Sequence, residues 1–301
     1  MRRGGTSRRS PGTTSASTST ASCQPTSRSP EARVRIAVCV KQVPNPDTPA
    51  AVFRVDETAR ELVLPPGQPL AMSPFDEQAL EAALRIRDEL GGTVGISALT
   101  LGPDASRSVL KHALAMGADE GVLLADPALL SGDSYATALA LAAAVRKLGA
   151  VDLVLAGRQA ADTDAGAVGI GMAELLGWTA VTFAKEVRVA GATARVTRVL
   201  DDGLETVEAP LPLVVTVSNE LGAPRKPSLR ETMRAARKPV AAWGAGELGL
   251  AAQRAGAAGA RRVRERLFVP ARESHCEFIA GATPQEQASA LARCMRDAKL
   301  L

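Results

Sequence analysis

Four short apolar runs alternate with helix-forming segments between residues 33 and 176, and this alternation leaves few architectures open. Val34–Val40 is apolar at nearly every position, as in a strand buried on both faces. Ser73-Pro74-Phe75-Asp76-Glu77 then opens a helix: Ser73 suits the cap, Pro74 the first turn, and the two acids the positive end of the helix dipole. Leu80, Ala83, Leu84 and Leu90 continue its apolar face. Val94–Leu101 reads as a second strand, and Gly102-Pro103-Asp104 starts a helix running to Met116. Gly121–Ala125 and Val151–Ala156 are further strands, with helices from Asp133 through Leu148 and from Thr163 to Leu176. The β-α-β-α-β-α order predicts a parallel sheet covered by helices on both faces.

The texture changes after Trp178. Val181–Val189 and Ala194–Leu200 alternate around an Ala190-Gly191 turn, and Leu204–Glu208 and Leu213–Val217 follow, which predicts an antiparallel block at the sheet edge. Residues 218–240 are polar and proline-punctuated, an extended arm with one short helix around Leu229–Ala236. Residues 241–260 are rich in Ala and Gly and read as a linker. Arg262–Val269 is a possible strand and Pro284–Lys299 a helix. The division is therefore a disordered extension over 1–32, an α/β domain over 33–240 that includes the arm, and a linker with C-terminal extension over 241–301. The extension is rich in Ser, Thr and Arg and reads as a transit-peptide-like leader or as residues upstream of the true start.

Net charge is +4, but residues 1–30 hold five Arg and no acid, which leaves residues 31–301 at −1. A near-neutral body argues against a nucleic-acid-binding protein. The basic stretches Arg225–Lys238 and Arg261–Arg266 also lack the aromatic residues that stack on bases. Four scattered cysteines form no CxxC pair, so neither a zinc site nor a disulfide framework is expected, and a reduced cytoplasmic compartment fits. No apolar run is long enough to span a membrane.

Searches for catalytic motifs find no GxSxG, HExxH, GxxxxGK[ST] or GxGxxG. His112 reads as a surface residue, and His275 beside Cys276 lacks a third ligand nearby. The remaining candidates are loops after parallel strands, where open α/β sheets bind ligands: Cys39–Val43, Thr100–Asp104 and Gly157–Gly169. In the third, small residues permit close approach to the backbone and the next helix offers free N–H groups. Asp162 and Asp164 would cap that helix or bind ribose hydroxyls, and a capped Gly/Ala-rich loop without a ligand is the alternative. In the arm, Leu229 and Met233 lie four apart amid basic residues, either as an exposed knob or tucked into the body.

The segment from Val196 to Val217, which reads VTRVLDDGLETVEAPLPLVVTV, resembles the signature of the electron transfer flavoprotein beta subunits. Val40-Lys41-Gln42-Val43-Pro44, Ser73–Glu77, Ala113–Asp119 and Gly157–Trp178 support the resemblance, which spans roughly 33 to 240. By itself the signature reads as a hairpin with Asp201-Asp202-Gly203 as its turn.

The resemblance implies a Rossmann-like α/β fold of the adenine-nucleotide hydrolase type. It implies a heterodimer with an alpha subunit that carries FAD, while the beta subunit holds AMP or, in electron-bifurcating and nitrogen-fixation-type members that oxidise NADH, a second FAD. Carried over by position, the nucleotide contacts are Cys39, Ser73, Pro74, Phe75, Asp76, Leu101, Gly157, Arg158, Gln159, Asp162, Thr163, Asp164, Ala165, Gly166, Ala167 and Val168. Leu229, with Met233, Arg230 and Arg234, would dock on acyl-CoA or related dehydrogenases, and electrons would pass on to a quinone reductase. No residue of this chain is expected to act as a catalytic acid or base, and no metal is expected. Val168-Gly169 resembles the bifurcating branch, whereas Asp162-Thr163-Asp164-Ala165 fits neither branch fully. An ATP-using hydrolase or ligase of the same fold is the alternative of another class.

Overall fold

A computed structural model describes residues 1, 34–91, 94–271 and 276–301. The expectation of disorder over 1–32 thus lies outside the described residues but for Met1, and His275 lies outside them as well. Two compact units are present. One runs up to Val43 and resumes over Ala71–Arg261; the other comprises Pro44–Leu70 and Arg262–Leu301.

In chain order the elements begin with β1 (Val34–Cys39), β2 (Gln42–Pro44), β3 (Arg54–Asp56), β4 (Glu61–Val63), β5 (Leu70–Met72) and α1 (Pro74–Glu89). Next come β6 (Val94–Leu101), α2 (Arg107–Met116), β7 (Glu120–Leu124), α3 (Ser134–Leu148), β8 (Leu153–Gly157) and α4 (Ala167–Leu176). Then follow β9 (Thr179–Ala190), β10 (Thr193–Leu200), β11 (Gly203–Pro210), β12 (Leu213–Val217), α5 (Leu229–Arg237) and β13 (Ala241–Trp243). The chain closes with α6 (Gly256–Gly259) and α7 (Pro284–Asp297).

A nine-stranded sheet, ordered β11-β10-β9-β12-β8-β1-β6-β7-β13, organises the larger unit. From β9 to β13 every neighbouring pair is parallel, and β9, β10 and β11 pair antiparallel. Successive side chains of a strand point to opposite faces, and both faces here are apolar. Ile36 and Val38 of β1, with Leu153 and Leu155 of β8, join a core beneath α1, α2 and α5. Ala37, Cys39, Val154 and Ala156 join a second core beneath α3 and α4. The aromatic-poor composition suits this arrangement, because Ala-lined helices sit close to the strands.

Four stretches differ from the sequence reading. Leu213–Val217, expected in the antiparallel edge block, is β12, an interior strand parallel to both β8 and β9. The helix expected from Thr163 begins at Ala167. Asp164 takes a left-handed φ of 52°, and its N–H donates to the Ala160 carbonyl, so the chain turns back instead of coiling. The expected linker 241–260 supplies β13, which pairs with β7, and buries Ala245, Leu248 and Ala255. Asp126 holds that stretch by accepting the Ala245 N–H at 2.9 Å. The small residue at Gly244 permits this approach, since a Cβ there would stand 2.9 Å from the Asp126 Oδ2. Finally, Arg262–Val269, read as a possible strand, forms none.

Leu155 lies fully buried in β8 between β1 and β12. Truncation there removes packing at the centre of the sheet, so Leu155→Ala should cost about 2–5 kcal/mol in urea unfolding. A loss below about 1 kcal/mol would contradict this placement of the core.

Candidate functional site

Chain order and spatial order diverge at β1. The path β1, β6, β7 runs outward on one side, and β8 and β12 lie on the other. Loops leaving β1 and β8 therefore part in opposite directions and open a crevice at their carboxyl ends. Asp76, in the first turn of α1, ties its two walls together. Its Oδ2 accepts the Lys41 backbone N–H at 2.8 Å, and its Oδ1 accepts the Gly157 N–H at 3.0 Å. The residue is only 7% exposed. Burial pushes its carboxyl up to about 7, against the lowering effect of the two N–H groups and the Lys41 charge; Asp162 adds to the rise.

Ser73 donates its N–H to the Lys41 carbonyl at 2.9 Å, a second stitch across the same wall. It occupies the N-cap of α1, yet its side chain makes no capping bond, contrary to the sequence reading. Its buried Oγ has no hydrogen-bond partner among the described residues, and neither has Thr100 Oγ1 at the end of β6 or Arg158 Nε. Pro74 fills the first turn of α1, and Phe75 lies under the Arg158 guanidinium, 5.0 Å from the ring centre. A Cβ at Gly157 would come within 2.6 Å of Asp76 Oδ1 and 2.7 Å of Phe75 Cβ, so only glycine fits this floor.

The loop after Gly157 is held by its own contacts. Arg158 donates its backbone N–H to the Val217 carbonyl at 2.8 Å and its Nη1 to Ser218 Oγ at 3.3 Å. Gln159 Nε2 donates to Asp164 Oδ1 at 2.7 Å. Lys41 Nζ pairs with Asp162 Oδ1 at 2.7 Å, and Thr163 Oγ1 donates to the same oxygen at 3.4 Å. Asp162 and Asp164 are thus engaged elsewhere and do not cap α4. Its cap is Gly166, which has no side chain to offer, so the N–H groups of Ala167 and Val168 begin the helix without a side-chain acceptor. A Cβ at Gly169 would meet Thr216 Cγ2 at 2.7 Å, which explains the small residue where α4 crosses β12.

Ser73–Asp76 and Gly157–Asp162 are brought together by these bonds. Ala165 closes the loop by accepting the Ala160 N–H at 3.1 Å. Cys39 ends β1 with its side chain turned into the core, Sγ 3.7 Å from Met172 Sδ. Burial, with Asp76 nearby, pushes its thiol up to about 12, so it is an inert core thiol. Leu101 ends the neighbouring strand β6. Lys41 and Ser218 were not among the residues expected at the site; Lys41 lies in a loop the sequence did single out, whereas nothing local marks Ser218.

In the arm, Leu229 and Met233 are 77% and 58% exposed, so they form a knob and are not tucked into the body. Arg230, Arg234 and Arg237 line an open hollow with them. Among the described residues no carboxylate lies within ion-pair distance of these three arginines. Arg225 is different: it pairs with Glu81 and Asp88 of α1 and fastens the root of the arm to the body. Ser228 and Glu231 form a capping box that starts α5. Lys111 Nζ donates to the carbonyls of Ala235, Ala236 and Lys238 and closes its other end. His112 lies on the surface against Glu77, at 3.0 Å. Among the described residues no helix is long and apolar enough to cross a membrane.

Asp76 gives the crevice a pH signature. Its carboxyl titrates at about 7 when folded against 3.8 otherwise. The folded state then holds the extra proton between these values, so this contribution is full below about 4 and lost as pH rises through about 7. Unfolding free energy should fall across that window, and Asp76→Asn should flatten the slope. Parallel curves for the two proteins would show that Asp76 does not titrate there.

A family model described as the electron transfer flavoprotein domain matches residues 62–248. The caffeyl-CoA reductase-Etf complex subunit CarD of Acetobacterium woodii is 37% identical over 268 residues, 89% of this chain and 100% of that protein. The electron transfer flavoprotein subunit beta of Megasphaera elsdenii is 36% identical over 80% of this chain and 89% of its own length. Protein FixA of Azorhizobium caulinodans is 35% identical over 79% of this chain and 85% of its own length. With the doubly wound sheet and the matched span together, the chain belongs to the electron transfer flavoprotein beta-subunit family.

Proposed function

We propose that the crevice between β1 and β8 holds the adenylate portion of a nucleotide, the part that AMP and FAD share, and that the chain acts as the beta subunit of a cytoplasmic electron-carrying heterodimer. The observation that carries this reading is the set of buried polar atoms left over at the crevice. Ser73 Oγ and Arg158 Nε have no partner among the described residues, beside a glycine floor that admits no side chain. Buried polar groups without partners are costly, and a bound polar molecule relieves them. Arg158 and the α4 N–H groups suit a phosphate, and Asp162 suits ribose hydroxyls. Cys39, Leu101, Pro74 and Phe75 would form the walls, and the loop from Gln159 through Val168 its rim.

FAD in the alpha subunit supplies the redox chemistry when bound, and this chain contributes binding and orientation. Acyl-CoA or related dehydrogenases would donate the electrons and a quinone reductase would receive them. A second reading places a second FAD in the beta subunit of a complex that oxidises NADH. Val168-Gly169 favours it, as does the extent of similarity to the Acetobacterium woodii protein, whose name ties it to a caffeyl-CoA reductase complex. An ATP-using hydrolase or ligase is less well supported, because the glycine in the Thr100–Asp104 loop is spoken for. A Cβ at Gly102 would stand 2.4 Å from Ser106 Oγ, so that glycine serves packing.

Co-purification with the alpha subunit tests the proposal. Denaturing the heterodimer should release nucleotide; one flavin per dimer with AMP supports the first reading, and two flavins support the second. Release of neither AMP nor a second flavin would remove the nucleotide site. Gly157→Val should displace Asp76 and Phe75, at a cost of about 1–3 kcal/mol, and lower nucleotide affinity by roughly tenfold or more.

A further inference from the structure

We infer that Glu81 of α1 is a positioning residue for partner docking, holding the arm in the pose that presents Leu229 and Met233. The inference rests on the proposed docking role of the arm and adds the residue that sets it. Glu81 is 5% exposed and lies in the middle of α1, where a carboxylate is costly unless fully paired. It is fully paired, and chiefly to the root of the arm. Oε2 accepts the Arg225 backbone N–H at 3.1 Å and its Nε at 2.8 Å; Oε1 accepts Arg225 Nη2 at 3.2 Å and Arg85 Nε at 2.9 Å. Arg225 Nη2 also reaches Asp88 Oδ2 at 2.8 Å, and Arg85 Nη1 reaches the Leu221 carbonyl at 3.0 Å. Burial alone would raise the Glu81 carboxyl; the hydrogen bonds from Arg225 and Arg85 outweigh it and hold the group below the usual carboxylate range.

The arm leaves the body at Gly222, whose φ of 101° marks a sharp turn after buried Leu221. Two fastenings then fix it: the Glu81 clasp on Arg225 before α5, and the Lys111 clasp on the carbonyls at the end of α5. Between them, Ser228 and Glu231 bond to each other in the capping box. Such local bonds keep α5 helical but do not set its direction. Packing on α2, where Ala235 is buried, seats the C-terminal half of α5, and backbone capture at Arg225 fixes how the chain enters it, because one carboxylate holds main chain and side chain. Losing that capture frees the N-terminal half, which carries Leu229, and apparent affinity falls by the fraction of time the arm spends in the docking pose.

Glu81→Gln retains the volume and removes the charge. In the heterodimer, with an acyl-CoA dehydrogenase as electron donor, KM for the donor should rise about tenfold at unchanged kcat. Bound nucleotide should stay unchanged, and amide exchange over residues 226–236 should quicken. Leu229→Ala tests the underlying docking reading by itself. A raised KM for Leu229→Ala with unaltered KM and exchange for Glu81→Gln would overturn the positioning role. An unaltered KM for Leu229→Ala would sink the docking reading, and with it the inference as a statement about docking. Should Glu81→Gln fail to fold, Arg225→Met leaves Glu81 paired with Arg85 and must show the same rise in KM and in exchange.

Discussion

A single buried carboxylate holds the working end of this molecule together. Parallel strands finish with main-chain groups that no neighbouring strand can satisfy, and the loops that follow β1 and β8 part in opposite directions. Asp76 accepts one N–H from each loop. From the first turn of α1 its side chain faces both strand ends at once. The same placement explains the glycine at 157, because any Cβ there would enter the space the carboxylate occupies. Burial raises the acid's proton affinity, and the two N–H groups oppose that rise. A carboxylate of this kind fixes a crevice without occupying it, since both its oxygens point into the protein.

The same helix carries a second buried acid. Asp76 fastens the crevice at its start and Glu81, little more than a turn further on, fastens the arm. Both contacts are backbone captures, in which a carboxylate accepts a main-chain N–H from a distant segment. Charge-assisted bonds of this type are stronger than neutral ones and are specific in direction. Helix α1 is thus a rigid reference against which two otherwise free segments are set. The two sites remain chemically separate, because each acid is saturated by its own partners.

The sheet was legible in the sequence because buried parallel strands carry their signal in every residue. Val34–Val40 and Val94–Leu101 could hardly be anything else, and a short arm helix was expected around Leu229–Ala236, whereas the parallel pairing of Leu213–Val217 inside the sheet was not visible locally. What the sequence hid depends on partners far away in the chain. The apparent linker became a strand because β7 offers a free edge and Asp126 captures Ala245, neither of which is visible within residues 241–260. The start of α4 shifted because a left-handed Asp164 is a local conformation that acidic residues tolerate but do not announce. Glu81 looks like a solvated helix residue until Arg225, 144 positions later, is brought against it. Asp76 joins the loops after β1 and β8, and the pairing of Lys41 with Asp162 across 121 positions is likewise a product of the fold that no local pattern announces.

The distribution of charge completes the argument. Outside the basic residues 1–30 the chain is close to neutral, so the protein as a whole exerts little long-range pull. On α5, Arg230, Arg234 and Arg237 have no ion-pair partner among the described residues, while Arg225 and Arg85 are spent on internal contacts. Three guanidiniums on one short helix, around two exposed apolar side chains, suit the proposed docking on a partner that offers acidic groups around an apolar pocket. Such a surface discriminates only if its direction is fixed, since a mobile helix would offer the same charges to any approach. Under the proposed docking role, Arg225 and Arg85 hold the root of the arm, and Arg230, Arg234 and Arg237 give its surface the charge that a partner would meet.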